Sequence, residues 1–144
     1  MADDGHRIII HDLTEGTSRS LNLSEPAESI AWSYDGSKLA LDNGRIISTQ
    51  DGRTLFSFSG MMPQWFTDNQ SLLYSDGVSA LRKISTETGN DQEVLALPDY
   101  SIWFFALAAE INKVLIMAFA DPGRVTFTFL YDLTNQDLIE ISRN

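Results

Sequence analysis

The chain has 144 residues, of which 43% are hydrophobic and 21% charged, and it contains no cysteine. This length and composition predict one soluble domain over residues 1–144 with a hydrophobic core, and they exclude disulfides, thiolate metal sites and cysteine nucleophiles. Twenty acidic against ten basic residues give a net charge of -10, and no cluster of lysines and arginines offsets it, so nucleic acid is not an expected partner.

The first feature in chain order is a hairpin over residues 7–23. It opens on an apolar run, passes a polar turn and closes on two apolar residues that flank a third, Leu21-Asn22-Leu23. Three hairpins of the same type lie at residues 45–58, 81–97 and 126–141. Their turns are rich in Thr, Asp, Asn and Gly, which cap their own backbone or accept positive φ. Alternation with such boundaries predicts half-buried antiparallel strands.

A second type of hairpin lies between successive members of the first. The clearest is Ile30 to Leu41, where the turn Asp35-Gly36 separates two apolar runs and Trp32 precedes the aspartate by three residues. The others are residues 64–74, with Trp65, and residues 102–119, which keep an aromatic at Phe105 but lack the turn signal. We predict that Trp32 and Trp65 are buried in equivalent positions of successive repeats. We give Phe105 the same packing role rather than a role in stacking a ligand.

The two hairpin types alternate, so the chain contains half a unit followed by three full units of four short strands. A unit of about 35 to 45 residues with four strands is typical of a β-propeller blade. The predicted fold is therefore all-β, a β-propeller-like array of four-stranded antiparallel blades in an incomplete ring; a β-sandwich is the alternative. The half blade spans residues 7–23 and the blades span residues 29–58, 63–97 and 102–142.

Residues 31–40, Ala-Trp-Ser-Tyr-Asp-Gly-Ser-Lys-Leu-Ala, resemble the repeat of TolB-like propellers, relatives of the WD-repeat class. That family favours Pro-x-Trp-Ser-Pro-Asp-Gly-Lys before an apolar strand. The second copy keeps Pro63 and Trp65, whereas Asn69 stands in place of the glycine, and Tyr34 and Thr67 replace the second proline. The resemblance implies a sensory or scaffold module, and it favours an extracytoplasmic or periplasmic location that the residues themselves do not determine.

Residues 101–120 are apolar enough to suggest a membrane span or a buried helix. Glu110, Asn112 and Lys113 lie at the middle of the segment, where charge is most costly to a spanning helix. The repeat register predicts two strands here instead. We therefore expect no direct insertion into a membrane.

No pattern of catalytic or metal-binding residues is evident. His6 and His11 are five residues apart and would lie on opposite faces of a strand, so they cannot pair as metal ligands. The Asp-Gly pairs lack the ligand ladder of a calcium loop, and the glycine-rich phosphate and nucleophile patterns are absent. We predict no metal, no cofactor, no catalytic residue and no enzymatic activity, although twenty acidic residues leave a carboxylate pair for glycoside hydrolysis open.

The half blade lacks its inner pair of strands, which leaves an unpaired edge and uncovered blade faces. Three explanations stay open: a piece of a larger propeller, closure by oligomerisation, or an open arc in which residues 7–23 pack unusually. We expect a protein partner or self-association, with function as a non-catalytic interaction or ligand-sensing module. The alternative is an accessory propeller domain of a hydrolase or lyase whose catalytic residues lie outside this chain.

Loops at one rim of the array are the expected contact region. The candidate partner-binding residues are Met61, Met62, Asp99, Tyr100 and Asp121. Methionine and tyrosine adapt well to partner surfaces, and the alternative role for these residues is packing between blades.

Overall fold

A computed structural model describes residues 7–120 and 125–143, whose regular structure is almost entirely β-strand. The strands are β1 (Arg7–Asp12), β2 (Thr17–Asn22), β3 (Ile30–Trp32), β4 (Lys38–Leu41), β5 (Arg45–Ser48), β6 (Thr54–Ser57), β7 (Met61–Trp65), β8 (Ser71–Ser75), β9 (Ala80–Ser85), β10 (Asp91–Ala96), β11 (Ser101–Ala108), β12 (Lys113–Ala120), β13 (Val125–Asp132) and β14 (Leu138–Arg143). A single 3₁₀ turn, Ala109–Ile111, lies between β11 and β12 in the described part of the chain.

The strands form three four-stranded antiparallel sheets and one two-stranded sheet. We call β1–β2 the first hairpin, and β3–β6, β7–β10 and β11–β14 the first, second and third blades; the four strands of each blade are a to d in chain order. Each strand pairs with its sequence neighbour, so each blade is a simple meander. The first hairpin supplies only strands c and d. The predicted all-β array of four-stranded blades in an open arrangement is confirmed.

Three hydrophobic clusters lie between successive sheets. The first joins Leu21 of the first hairpin to Leu39 and Leu41 of the first blade. The second contains Ala40 together with Trp65 of the second blade, and the third joins the second and third blades. Because side chains alternate along a strand, a blade contacts one neighbour with Leu39 and Leu41 and the other with Ala40.

The a–b turns use residues that tolerate a left-handed backbone. Gly36 has φ 71 and Asn69 has φ 57 at the same place in the first and second blades. The aspartate before each turn residue accepts downstream N–H groups: Asp35 accepts from Ser37 at 3.0 Å, and Asp68 accepts from two residues. The Asp-Gly and Asp-Asn signals therefore correspond to capped hairpin turns.

Residues 101–120 form the two strands that the repeat register predicts. β11 and β12 are each eight residues long, and Ala108 pairs with Lys113 across the turn. Asn112 ends the turn with φ 52, which replaces the missing glycine. No helix within residues 7–120 and 125–143 is long and apolar enough to cross a membrane.

Candidate interaction surfaces

Trp65 lies between the first and second blades, as the sequence predicts. Its side chain is only 3% exposed, and its Nε1 donates to the carbonyl oxygen of Ala31 on the preceding blade at 3.0 Å. The Nζ of Lys38 lies 5.6 Å from the ring centroid, close enough for a cation–π contact. Trp65 therefore joins two blades through apolar burial, a hydrogen bond and a cation–π contact with Lys38.

Trp32 occupies the equivalent position but is not buried, and this part of the prediction is wrong. It pairs with Leu39, the second residue of β4, as Trp65 pairs with Leu72, the second residue of β8. However, 45% of Trp32 is exposed, and so is 45% of its neighbour Ile30. The sheet before Trp32 is the first hairpin, which has no strands a and b in the described chain to cover β3.

Phe105 is buried at 1% exposure, in agreement with a packing role, but it is not the counterpart of the two tryptophans. The residue opposite Val114, the second residue of β12, is Leu107. The predicted alignment of the third copy is therefore displaced by two residues along the same face of β11. The side chain of Gln64 fixes this strand to the second blade, since its Nε2 donates to the Phe105 carbonyl at 2.8 Å and its Oε1 accepts from the Leu107 N–H at 2.7 Å.

The two ends of the array present apolar side chains to solvent. We call Ile30 and Trp32 the N-terminal end face. The C-terminal end face lies on the outer side of the third blade and consists of four exposed residues, Phe104, Leu115, Phe119 and Ile139. Their strand register places them on one side of the sheet, opposite the side that packs on the second blade. Interior blades bury both of their faces, so these two faces expose apolar surface that a neighbouring blade would otherwise cover.

The predicted rim residues are only partly brought together. Asp99 and Tyr100 line a shallow cavity of about 470 Å³, together with Val78 and Phe119. Met61 is exposed and lies beside Gly77, the residue before Val78, so it borders the same region. Asp121 lies outside the described residues.

Two of these rim side chains also pack between blades. Tyr100 contacts Phe127 and Phe129 edge to face, with ring centroids 4.9 and 5.3 Å away. Met62 packs against the cluster between the second and third blades and has φ 55, a strained value for its side chain. Met61 and Asp99 are therefore the members with most surface to offer.

A second cavity, which the sequence did not indicate, lies between the second and third blades. It has a volume of about 430 Å³ and is lined in part by Lys83, Glu93 and Tyr131. The Lys83 Nζ lies 4.3 Å from the centroid of the Phe66 ring, and the Tyr131 hydroxyl donates to the Val94 carbonyl at 2.6 Å. Burial raises the pKa of Tyr131. The Tyr131 hydrogen bond joins the two blades, whereas Lys83 and Phe66 both belong to the second blade. No sequence signal beyond an aromatic after Trp65 marks the place.

A polar cluster fastens strands within the second blade. The Tyr74 hydroxyl donates to Asp91 at 2.6 Å, and Arg82 donates to the same carboxylate at 3.2 Å. Burial and the Asp91 carboxylate raise the pKa of Tyr74 to about 12. The phenol therefore stays protonated at neutral pH and acts as a hydrogen-bond donor.

The described residues contain no group of three or more His, Asp or Glu side chains that could hold a metal ion. The ring of His11 contacts Ser18, with 2.7 Å between Nδ1 and Oγ. His6 lies outside the described residues. The prediction that the two histidines do not pair as metal ligands therefore stays a prediction.

Solved structures show the same fold. Hydrazine synthase of Kuenenia stuttgartiensis matches 97% of this chain with a TM-score of 0.73 and 11% identity, over 43% of that chain. An oligogalacturonate lyase in complex with manganese matches 98% with a TM-score of 0.71 and 11% identity, over 49% of its chain. The oligogalacturonate lyase of Vibrio parahaemolyticus matches 96% with a TM-score of 0.68 and 12% identity, over 47% of its chain.

This chain thus spans less than half the length of these β-propeller-type structures. No protein-family model and no curated protein matches it. The likeness is one of fold: a segment of a propeller-type array.

Proposed function

We propose that the chain is a non-catalytic interaction module, a TolB-like propeller segment that binds a protein partner or another copy of itself through its end faces. The observation that carries this proposal is the exposure of apolar side chains at both ends, at positions that interior blades bury. Trp32 is 45% exposed whereas its repeat equivalent Trp65 is 3% exposed. Apolar surface of this kind is characteristic of association sites.

The C-terminal end face supplies most of the apolar surface. Phe104 lies diagonally beside Leu115 on the neighbouring strand, and Phe119 lies four residues farther along β12. Ile139 extends the patch toward the outer edge of the blade. A net charge of -10 opposes the approach of two copies. Association should therefore strengthen as salt screens this repulsion.

Sedimentation velocity at several concentrations and two salt levels tests the proposal. We expect the protein to self-associate more strongly at higher protein concentration and higher salt. The substitution Leu115→Glu on the C-terminal end face should weaken this association. The matched control is Leu55→Glu, the same substitution at an exposed residue of the outer strand β6, away from both end faces. If the protein stays monomeric in every condition, or if the two substitutions weaken its association equally or not at all, the end faces are not association surfaces.

The accessory-domain alternative differs in the identity of the partner, which would be a catalytic domain of a hydrolase or lyase. Two of the similar structures are oligogalacturonate lyases, which is the observation that keeps this alternative. Both ideas place catalysis outside this chain, so incubating the purified chain with oligogalacturonate tests the premise that they share. Release of shorter products by this chain alone would contradict the non-catalytic proposal.

A further inference from the structure

We infer that a β-hairpin of a partner protein docks beside β1 and in front of Trp32, and completes the first hairpin as a four-stranded blade. We call this place the open inner position. The inference rests on the proposed function and names the partner that one end would take. The argument comes from the three complete blades, which show what lies at the equivalent place.

Ile9 and His11 of β1 have no further strand beside them among the described residues. In each complete blade the c strand pairs with both b and d, whereas β1 pairs with β2 alone among the described strands. The alternation of an antiparallel pair directs the N–H and C=O groups of Ile9 and His11 away from β2, toward the open inner position. A further extended strand could therefore add to this edge with backbone hydrogen bonds.

The residue that follows each complete c strand donates its N–H to the a–b turn of its own blade. The three bonds, between 2.8 and 3.0 Å, are Thr49 to Ser37, Thr86 to Gln70 and Leu133 to Asn112. Leu13 holds the same position, because Gly16 closes onto Asp12 as Gly52 closes onto Ser48. Leu13 is 96% exposed. Its N–H and its side chain lie where the turn of an inner hairpin would contact them.

Trp32 forms the other side of the open inner position. Trp65 shows the expected contact, since its Nε1 donates to a carbonyl of the preceding a strand, that of Ala31. A cavity of about 310 Å³ lies between the two sides, lined by residues of β1 and β2 and by Trp32. An inner hairpin would fill this space, cover Ile30 and give Trp32 an acceptor.

Charge specifies a further property of the hairpin. The first residue of strand b is a lysine in two of the blades, Lys38 and Lys113. Lys113 Nζ donates to Asp132 at 2.7 Å across the b–c pair. Asp12 corresponds to Asp132. In both, Oδ1 accepts from the N–H groups of the second and third residues after the aspartate. A lysine at the start of the second strand of the partner hairpin would therefore pair with Asp12.

A second copy of this chain is a poorer occupant than a partner hairpin. Its three a–b hairpins, β3–β4, β7–β8 and β11–β12, are each paired to the c strand of their own blade. Offering one of them would require a blade to open. The sequence of residues 29–42 nevertheless has each required feature, the Ala31 and Ser37 carbonyls and Lys38, so a synthetic peptide of that sequence is a suitable probe.

The first test titrates the uniformly ¹⁵N-labelled full chain with this unlabelled peptide. We expect saturable shifts at the Trp32 indole and the Leu13 amide, with the exposed Trp103 indole unchanged. Asp12→Asn keeps the turn caps through its Oδ1 but loses the charge, and should weaken binding by up to about fivefold. Asp51→Asn, the same change on the turn of the next c–d hairpin, should leave binding unaltered.

The second test removes the cost of folding an isolated hairpin, which is marginal in water. A copy of residues 29–42 is fused directly before Arg7, so that it precedes β1 much as residues 29–42 precede β5 in the first blade. The fusion gives the copy a high effective concentration at the open inner position. We expect Tm to rise by at least about 4 °C. Acrylamide quenching should also show more protected tryptophan than in the native chain. The same extension with Lys38→Glu in the copy should be less effective.

Four results would overturn the inference. In the peptide titration, they are NMR shifts confined to Trp103 and Leu115, or equal peptide binding by the two asparagine variants and the native chain. In the quenching experiments, they are no protection of Trp32 by either the peptide or the extension, or protection of Trp32 by self-association alone. In the last case the proposed function stands and the occupant is a second copy. Loss of all association by the chain, with peptide binding intact, would instead contradict the proposed self-association and keep the hairpin site.

Discussion

Trp65 and Trp32 form a matched pair of side chains in which only the cover differs. We expect Trp65→Ala to lower the free energy of unfolding by about 3–5 kcal/mol, because it leaves a cavity between two blades. It also leaves the Ala31 carbonyl without its donor. Trp32→Ala should cost much less, since the ring is half exposed. Urea unfolding of both variants measures the difference, and equal losses would show that Trp32 is covered in solution.

Asp35 makes the first a–b turn sensitive to acid. Hydrogen bonds from the Ser37 N–H, the Ser33 hydroxyl and the Ser37 hydroxyl lower its pKa from 3.8 to about 2. A carboxyl group whose pKa is lower in the folded chain stabilises it above the unfolded pKa, and that stabilisation is lost as pH falls through the folded pKa. Stability should therefore fall between about pH 4 and pH 2, and Asp35→Asn should reduce this fall. Titration of the Asp35 carboxyl by NMR with a midpoint near 4 would contradict the prediction.

Single residues also show where sequence reasoning ended. Trp32 and Trp65 could be placed in register because the pattern around each is local. Whether Trp32 is covered depends on the neighbouring sheet, which no local pattern describes. Tyr100 lies in the loop between β10 and β11, but its contacts with Phe127 and Phe129 are tertiary and could not be predicted from the loop itself.

Turns and connections fix the register of the strands. Two glycines in them separate the cost of a left-handed backbone from the cost of a steric clash. Gly44 has φ 81, and a Cβ there would clash with the Phe58 carbonyl oxygen; Gly36 has φ 71 and nothing within 4 Å. We expect Gly36→Ala to cost about 1 kcal/mol from backbone strain alone, and Gly44→Ala about 1–3 kcal/mol more because the chain must shift. Thermal unfolding compares them, and equal effects would mean that the contact at Gly44 relaxes freely.

The third a–b hairpin shows how a missing turn signal misleads alignment. Without Asp-Gly, the aromatic Phe105 was the best marker of register, and it placed the hairpin two residues away from its true alignment. The structure instead ends the turn at Asn112, which takes a left-handed backbone that asparagine tolerates. The existence of two strands was predictable because the repeat register requires them, and the charges at Glu110 and Lys113 argue against a membrane-spanning helix.

The whole array is an open arc whose blades are alike but whose ends are not. Strand number, blade order and the lack of an inner pair in the first hairpin all followed from the alternation of hairpin types along the sequence. The exposed C-terminal end face did not, because Leu115 and Ile116 look equally apolar in sequence and only the neighbouring blade decides which is buried. The identity of a partner depends on surface that no repeat pattern describes.

The central claim is that the first hairpin borders a strand position that none of the described strands fills. Native-state hydrogen exchange in dilute solution tests it most directly, because the equivalent amides of complete blades serve as internal controls. We expect the amide of Leu13 to exchange more than about tenfold faster than those of its counterparts Thr49 and Leu133, which donate to an a–b turn. The His11 amide should likewise exchange faster than that of its counterpart Tyr131, which lies on a c strand paired with strand b. Equal protection at these positions would show that the edge is already occupied and would contradict the account.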